Sequence, residues 1–349
     1  MREFRRILVV RIDRIGDVIL TLPMLDVLRK NFPHAHIAIL LRRYTKELVE
    51  ENKNIDEILF YDNGNAVLPF YQIVSELRRG KFDVAIITYP RFRLAWVIWW
   101  AGIPLRVGTG YRWYSFLFNN KVFVHRKVAE RHEAEYNLDL LKAIGCEAEG
   151  IIIPRLEIPQ HVSLATQQRL AQFGVEPGKR IVVLHPGSGG SGRDWSPAKF
   201  GALGRELSHF PDVQVVVTGG SGEGRLVRSV ADMIGINVPM IINQLSLKEY
   251  AALAGMASLL VANSTGPLHI AAAVGTPVIG LYSQITAMSR RRWGPCTERK
   301  TLFIPKDKPL DCHKCITATA CECMESISVN EVFLAARQVL SAEQFSVSR

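Results

Sequence analysis

At 349 residues the chain exceeds one ordinary hydrophobic core, so two domains of roughly 150–180 residues are expected. Hydrophobic residues make up 48% and charged ones 22%, which excludes a disordered or fibrous chain. The formal net charge of +10 calls for an anionic partner: nucleic acid, an anionic membrane surface or a phosphorylated substrate.

The opening MREFRRILVVRIDRIGDVILTLP carries no export signal, because Arg11, Asp13, Arg14 and Asp17 interrupt any apolar core. The longest apolar run, LAWVIWWAGIPL (94–105), is too short for a bilayer, so a cytoplasmic protein is expected. Strands are predicted at RILVV (6–10), HIAILL (36–41), EILFY (57–61) and DVAIITY (83–89). Helices fall between them at DVLRKNF, YTKELVEEN and YQIVSELRRG, the last stopped by Gly80. Prolines and glycines around 146–180 mark a domain junction. A second series follows, with strands at RIVVLHPG (180–187), VQVVVTGG (213–220), MIIN, SLLVANS (258–264) and PVIGLY (277–282). Two successive α/β domains with parallel sheets are therefore expected. In such sheets ligands bind beyond the carboxyl ends of the strands, where RIDRIGD, HPGSGGSGRDW and NSTGPLH lie.

The loop HPGSGGSGRDW offers many backbone N–H groups among Gly187, Gly189, Gly190 and Gly192, with Ser188 and Ser191, and suits phosphate. It lacks P-loop spacing; Arg193 at its exit would balance a diphosphate. In NSTGPLH, Ser264, Thr265 and Gly266 open a helix whose free N–H groups form an anion site. His269 either reaches the same ligand or serves the core. Asp17 either caps its helix or acts as a general base. A carboxylate there would repel phosphate, which assigns phosphate to the second domain. Residues 89–116 mix Arg91, Arg93, Arg106 and Arg112 with Trp96, Trp99, Trp100, Tyr111, Trp113 and Tyr114 and have no acidic residue. That is core plus ordinary surface, a face for anionic lipid, or a stacking platform for single-stranded nucleic acid. Cys312, Cys315, Cys321 and Cys323 form either a reduced cluster or a zinc site.

Together, ILVVRIDRIGDVILTLPMLDVLRKNFP, AGIPLRVG, HPGSGGSGRDWSPAKFGALGREL, NSTGPLHIAAAVGTPVIGLY and the tail CHKCITATACECMESISVNEV resemble the bacterial ADP-heptose–lipopolysaccharide heptosyltransferase family, glycosyltransferase family 9. The resemblance implies two Rossmann-like domains facing across a cleft, the GT-B architecture. Its first domain (1–160) would bind acceptor and its second (161–325) nucleotide sugar, with a C-terminal helix (326–349) crossing back to the first. It implies a monomer without metal or cofactor that moves heptose from ADP-heptose to the lipopolysaccharide inner core with inversion. By resemblance Asp17 is the base, and Ser188, Arg193, Ser264, Thr265, Gly266 and His269 meet donor phosphates and sugar. Glu223 falls near the nucleoside, and Arg14, Arg91, Arg93 and Arg112 are candidates for the acceptor. Many members carry aspartate where this chain has Ser264. The acceptor would be the phosphorylated lipid A-core at the inner leaflet of the inner membrane, met peripherally, with no nucleic acid partner. The alternatives are a transferase for another nucleotide sugar, or a basic nucleic-acid- or zinc-binding protein. A dinucleotide oxidoreductase is disfavoured, since RILVV, the first strand, is not followed by GxGxxG.

Overall fold

β1 (Arg6–Val10) is apolar on both faces after its first residue, as a strand covered by helices on both sides must be. A computed structural model describes residues 3–148, 152–235, 237–306 and 321–347, and divides the chain into Met1–Pro154 and Arg155–Arg349. In the first unit β1 is followed by α1 (Ile15–Ile19), α2 (Leu22–Asn31), β2 (His36–Leu41), β3 (Glu57–Phe60), α3 (Phe70–Arg79), β4 (Val84–Ile87), α4 (Phe92–Trp100), β5 (Leu105–Thr109), β6 (Asn120–Val122) and α5 (Glu133–Lys142). The strands form one parallel sheet in the order β3-β2-β1-β4-β5-β6. Val10 lies level with Leu40 and with Ile87, so the segments leaving β1 and β4 emerge together where the strand order reverses. In such a sheet that is where a ligand crevice opens.

The stretch expected as a helix at YTKELVEEN is instead a 3-10 helix over Arg43–Leu48. Its buried residues, Thr45 and Leu48, are three apart, which matches three residues per turn. Tyr44, on the same turn, donates from its hydroxyl to Asp13 O (2.7 Å) and ties this segment to the one after β1.

The second unit repeats the plan. α6 (Gln160–Gln172), β7 (Arg180–His185), α7 (Pro197–Ser208), β8 (Val213–Gly219), α8 (Gly224–Ile234), β9 (Met240–Ile242), α9 (Leu247–Met256), β10 (Ala257–Asn263), α10 (Gly266–Ala273), β11 (Val278–Leu281), α11 (Arg290–Trp293), β12 (Lys300–Phe303) and α12 (Val329–Val347) follow in order. Its parallel sheet runs β12-β11-β10-β7-β8-β9, so the reversal falls between β7 and β10. The boundary lies before residue 160 because the Leu156 N–H already bonds Ala273 O (3.0 Å) of this unit. On α12, Val332, Ala336 and Leu340 repeat every four residues and form one buried stripe. That stripe packs into the second unit's core with Trp195, Phe200 and Leu203. Among the described residues, no helix is long and apolar enough to cross a membrane.

Candidate active site

Arg11, the residue after β1, is 1% exposed, and its guanidinium is surrounded by acids. Nε donates to Asp13 Oδ1 (2.6 Å) and Nη2 to Asp17 Oδ1, while Nη1 faces Asn137 Oδ1 (3.3 Å) and Glu133 Oε1 (3.5 Å). Burial alone would lower its pKa, but Asp13, Asp17 and Glu133 outweigh that and raise it, so Arg11 stays charged. Asn137 completes the frame by donating to Leu20 O (3.0 Å). Arg126, in the segment after β6, pairs with Glu133 and donates to Thr88 O (3.3 Å) and Tyr136 O (3.2 Å). Three carboxylates thus meet two guanidiniums at the end of β1.

Asp17 lies in the first turn of α1. Arg14, not Asp17, stands at the cap position of α1, and the Asp17 carboxylate is bound by Arg11. Its side chain keeps 14% of its surface exposed. Asp13 lies deeper. Burial is the largest influence on it and, with repulsion from Asp17, pushes its carboxyl up to about 7 against the pull of Arg11.

Beside this cluster is a cavity of about 280 Å³ at the carboxyl ends of β4, β5 and β6. Thr88, Thr109, Tyr111, Arg112, His125 and Arg126 line it. The Tyr111 and His125 rings lie 4.0 Å apart between centroids. Arg112 belongs to this cavity; the other three arginines named for the acceptor do not line it. Arg91 sits over the Tyr89 ring (4.7 Å), and Arg14 is exposed at the start of α1. The Arg93 guanidinium bonds the Tyr61 hydroxyl (2.6 Å) and Leu68 O (2.6 Å), tying α4 to the segment before α3.

In the second unit, the loop after β7 and the start of α10 meet at the β7/β10 reversal. Ser191 Oγ lies within hydrogen-bond distance of both Ser188 O (2.6 Å) and Ser264 O (2.9 Å), which share its one proton. Asn263 clamps both ends of the loop, taking the Trp195 N–H (3.0 Å) and donating to Pro186 O (2.6 Å). A Cβ on Gly192 would stand 3.1 Å from Ser264 O, so only glycine gives this approach without displacement. Gly189 and Gly190 have φ of +55° and +75°, the left-handed region that exposes successive N–H groups. Thr265 stands at the cap of α10 without bonding its own helix, leaving its hydroxyl and the first-turn N–H groups for a ligand. Ser188, Ser264, Thr265 and His269 are buried around this point, and Arg193 is half-buried.

Glu223 reaches the same loop from the start of α8. It accepts from the Gly189 N–H (3.2 Å) and the Gly220 N–H (2.7 Å). His185 at the end of β7 bonds Thr218 Oγ1 (2.9 Å) and lies 3.6 Å from Glu223. Burial pushes His185 down to about 4 despite that carboxylate, so it is neutral at physiological pH.

A family model described as glycosyltransferase family 9 (heptosyltransferase) matches residues 70–321, more than half of the chain. The chain belongs to glycosyltransferase family 9. The glycosyltransferase is 28% identical over 299 residues to a putative glycosyltransferase of Haemophilus influenzae, covering 84% of this chain and 86% of that one. It is 27% identical over 289 residues to lipopolysaccharide heptosyltransferase 3 of Escherichia coli, covering 80% and 83%. It shares its fold with the solved ADP-heptose lipopolysaccharide heptosyltransferase II of E. coli, with a TM-score of 0.81 at 18% identity over 97% and 99% of the two chains.

Within the glycosyltransferase, the cysteine cluster divides. Cys312 and Cys315 lie outside the described residues. Cys321 packs in the second core and Cys323 is half-buried against it. Four partners of the β1 cluster are absent from the residues proposed from sequence: Asn137, Glu133, Arg126 and Asp13 as a partner of Arg11. The one local signal was a charged pair, Arg11 and Asp13, directly after a fully apolar strand.

Proposed function

We propose that this glycosyltransferase moves heptose from ADP-heptose to a phosphorylated lipid A-core acceptor with inversion at the anomeric carbon, Asp17 acting as base. The observation that carries the reading is a partly exposed carboxylate, held by a buried arginine, beside an arginine-lined cavity at the strand ends. An anionic acceptor sugar suits that cavity, where Arg112 supplies charge and Tyr111 an aromatic face. The name of the E. coli heptosyltransferase II, which includes ADP-heptose, supports the donor.

In the step itself an acceptor oxygen attacks the anomeric carbon and its O–H proton passes to Asp17. The new C–O bond forms as the bond from that carbon to the diphosphate oxygen breaks, and ADP leaves with the electron pair. Negative charge builds on the leaving diphosphate, where Arg193, Ser188 and the N–H groups at the start of α10 are the candidate donors. His269 and Ser264 are assigned to the sugar-proximal phosphate and sugar, and Glu223 to the nucleoside.

Two outcomes follow. Arg193→Gln is expected to weaken ADP binding about 10- to 100-fold by calorimetry, the scale of one hydrogen bond to a charged group. Unchanged ADP affinity would remove Arg193 from the donor site, and tighter binding of UDP or GDP would replace the donor. The second concerns the membrane. Trp96, Trp99, Trp100, Trp113 (73% exposed) and Phe116 (68% exposed) stand at the surface, with Arg91 and Arg112 nearby in sequence and no acid between residues 89 and 116. Aromatics beside arginines favour an anionic interface. Trp99→Ser with Trp113→Ser is expected to lower sedimentation with phosphatidylglycerol vesicles at least about tenfold, given the apolar area lost. Equal sedimentation of the double variant would remove this face as the point of attachment.

A further inference from the structure

Arg11 is shared. Its Nε serves Asp13 and its Nη2 serves Asp17, so two carboxyls compete for one buried cation. We propose that Asp13 is a positioning residue for Asp17: by drawing on Arg11 when ionised, it strengthens Asp17 as a proton acceptor. This rests on the reading of Asp17 as the base.

Counting charge around the end of β1, Asp13, Asp17 and Glu133 outnumber Arg11 and Arg126 by one negative charge. With Asp13 ionised, the proton taken from the acceptor neutralises that excess, and Arg11 passes wholly to Asp13 and Glu133. With Asp13 protonated the excess is already gone. Arg11 then serves Asp17 and Glu133 without a charged Asp13 competing, and a carboxylate so held is a weaker base. The remaining charged groups are accounted for. From the segment after β2 come Tyr44, bonded to Asp13 O and pushed up to about 12 chiefly by burial, and Arg42. Arg14 lies on the same segment as Asp13, and Arg91 after β4 feels the Asp13 charge. Tyr44 stays neutral through the physiological range, and the arginines keep their charge. Asp13 is the group among these with a titration in that range.

The position of Asp13 on the pH scale supports the same division. Its folded value, near 7, lies above the ordinary 3.8. The folded chain therefore binds this proton more tightly than the unfolded one. The stability it contributes is full below about pH 4 and lost as pH rises through about 7. Asp13→Asn removes that loss and keeps an oxygen for Arg11 Nε, so the variant is expected to melt no lower than wild type at pH 8. A residue kept only for stability would not behave so.

The experiment is a kcat–pH profile of wild type, Asp13→Asn, Asp13→Glu and Asp17→Asn with ADP-heptose and lipid A-core acceptor. Wild-type kcat is expected to rise through a titration near pH 7. In Asp13→Asn that titration should vanish, with kcat at pH 8 down about three- to tenfold, the effect of roughly one pKa unit on a general base. The KM for ADP-heptose should stay within about twofold, since donor affinity is a separate free-energy term. Asp13→Glu should restore the titration. A wild-type profile flat between pH 6 and 8 overturns the proposal, as does an Asp13→Asn profile matching wild type while Asp17→Asn is inactive. Full activity of Asp17→Asn overturns the base reading itself.

Discussion

Asp17→Asn is expected to lower the transfer rate by about 10²–10⁴-fold, the usual contribution of a positioned general base. Asparagine keeps the shape of the side chain and an oxygen for Arg11 Nη2, so the frame around Asn137 and Glu133 should survive. What it loses is a place for the acceptor proton. ADP affinity should be unchanged, because the groups assigned to phosphate, Ser188, Arg193, Thr265 and the start of α10, belong to the second unit. Single-turnover ADP release, set beside calorimetric ADP affinity, separates the two effects. Transfer within a factor of about three of wild type would show that Asp17 is not the base, since that loss is far below any general-base contribution.

Arg11→Met should be the most destabilising single change in the first unit. The guanidinium is buried and bonded by Asp13, Asp17 and Asn137, with Glu133 at 3.5 Å, and methionine fills its volume without its charge. Three carboxylates would remain with Arg126 as their nearby cation. Breaking such a buried set costs about 3–5 kcal/mol, because the partners left behind stay charged in a medium that solvates them poorly. The loss should depend on pH with a definite sign. Carboxyls stripped of their cation bind protons more tightly when folded, so Arg11→Met should recover stability as pH falls from 8 to 5.5. Urea midpoints at the two pH values measure this. Arg11→Lys should recover part of the loss, since one ammonium cannot serve three partners in the guanidinium's fork geometry. A midpoint for Arg11→Met equal to wild type at pH 8 would mean that the buried charges are not balanced as described.

Much of the fold was legible in the chain because β1, β2, β4, β7, β8, β10 and β11 are apolar runs bounded by turn residues. Strands β5, β6 and β12 were not. They are short, carry half-exposed or exposed residues such as Arg106, Asn120 and Lys300, and owe their conformation to pairing with a neighbour at or near the sheet edge. Loops at the strand ends could be read directly, since glycines, hydroxyls and a helix start are local features. The surroundings of Asp17 could not. Asn137 and Glu133 stand more than 110 residues from Arg11 and Asp17, and the packing of α5 on α2 brings them together. Asn263 was likewise hidden, because an asparagine ending a strand gives no sign that it clamps a loop more than 60 residues away. Arg93 had the opposite problem: as one arginine among aromatics it resembled a surface ligand, yet its guanidinium ties α4 to Tyr61 and Leu68.

Heptosyl transfer is tested most directly by incubating the purified protein with ADP-heptose and lipid A-core acceptor, then analysing the product by mass spectrometry and NMR. The expected product carries one added heptose whose anomeric configuration is opposite to that in the donor, formed with release of one ADP. Retention of configuration, or transfer only from a different nucleotide sugar, would contradict the assignment.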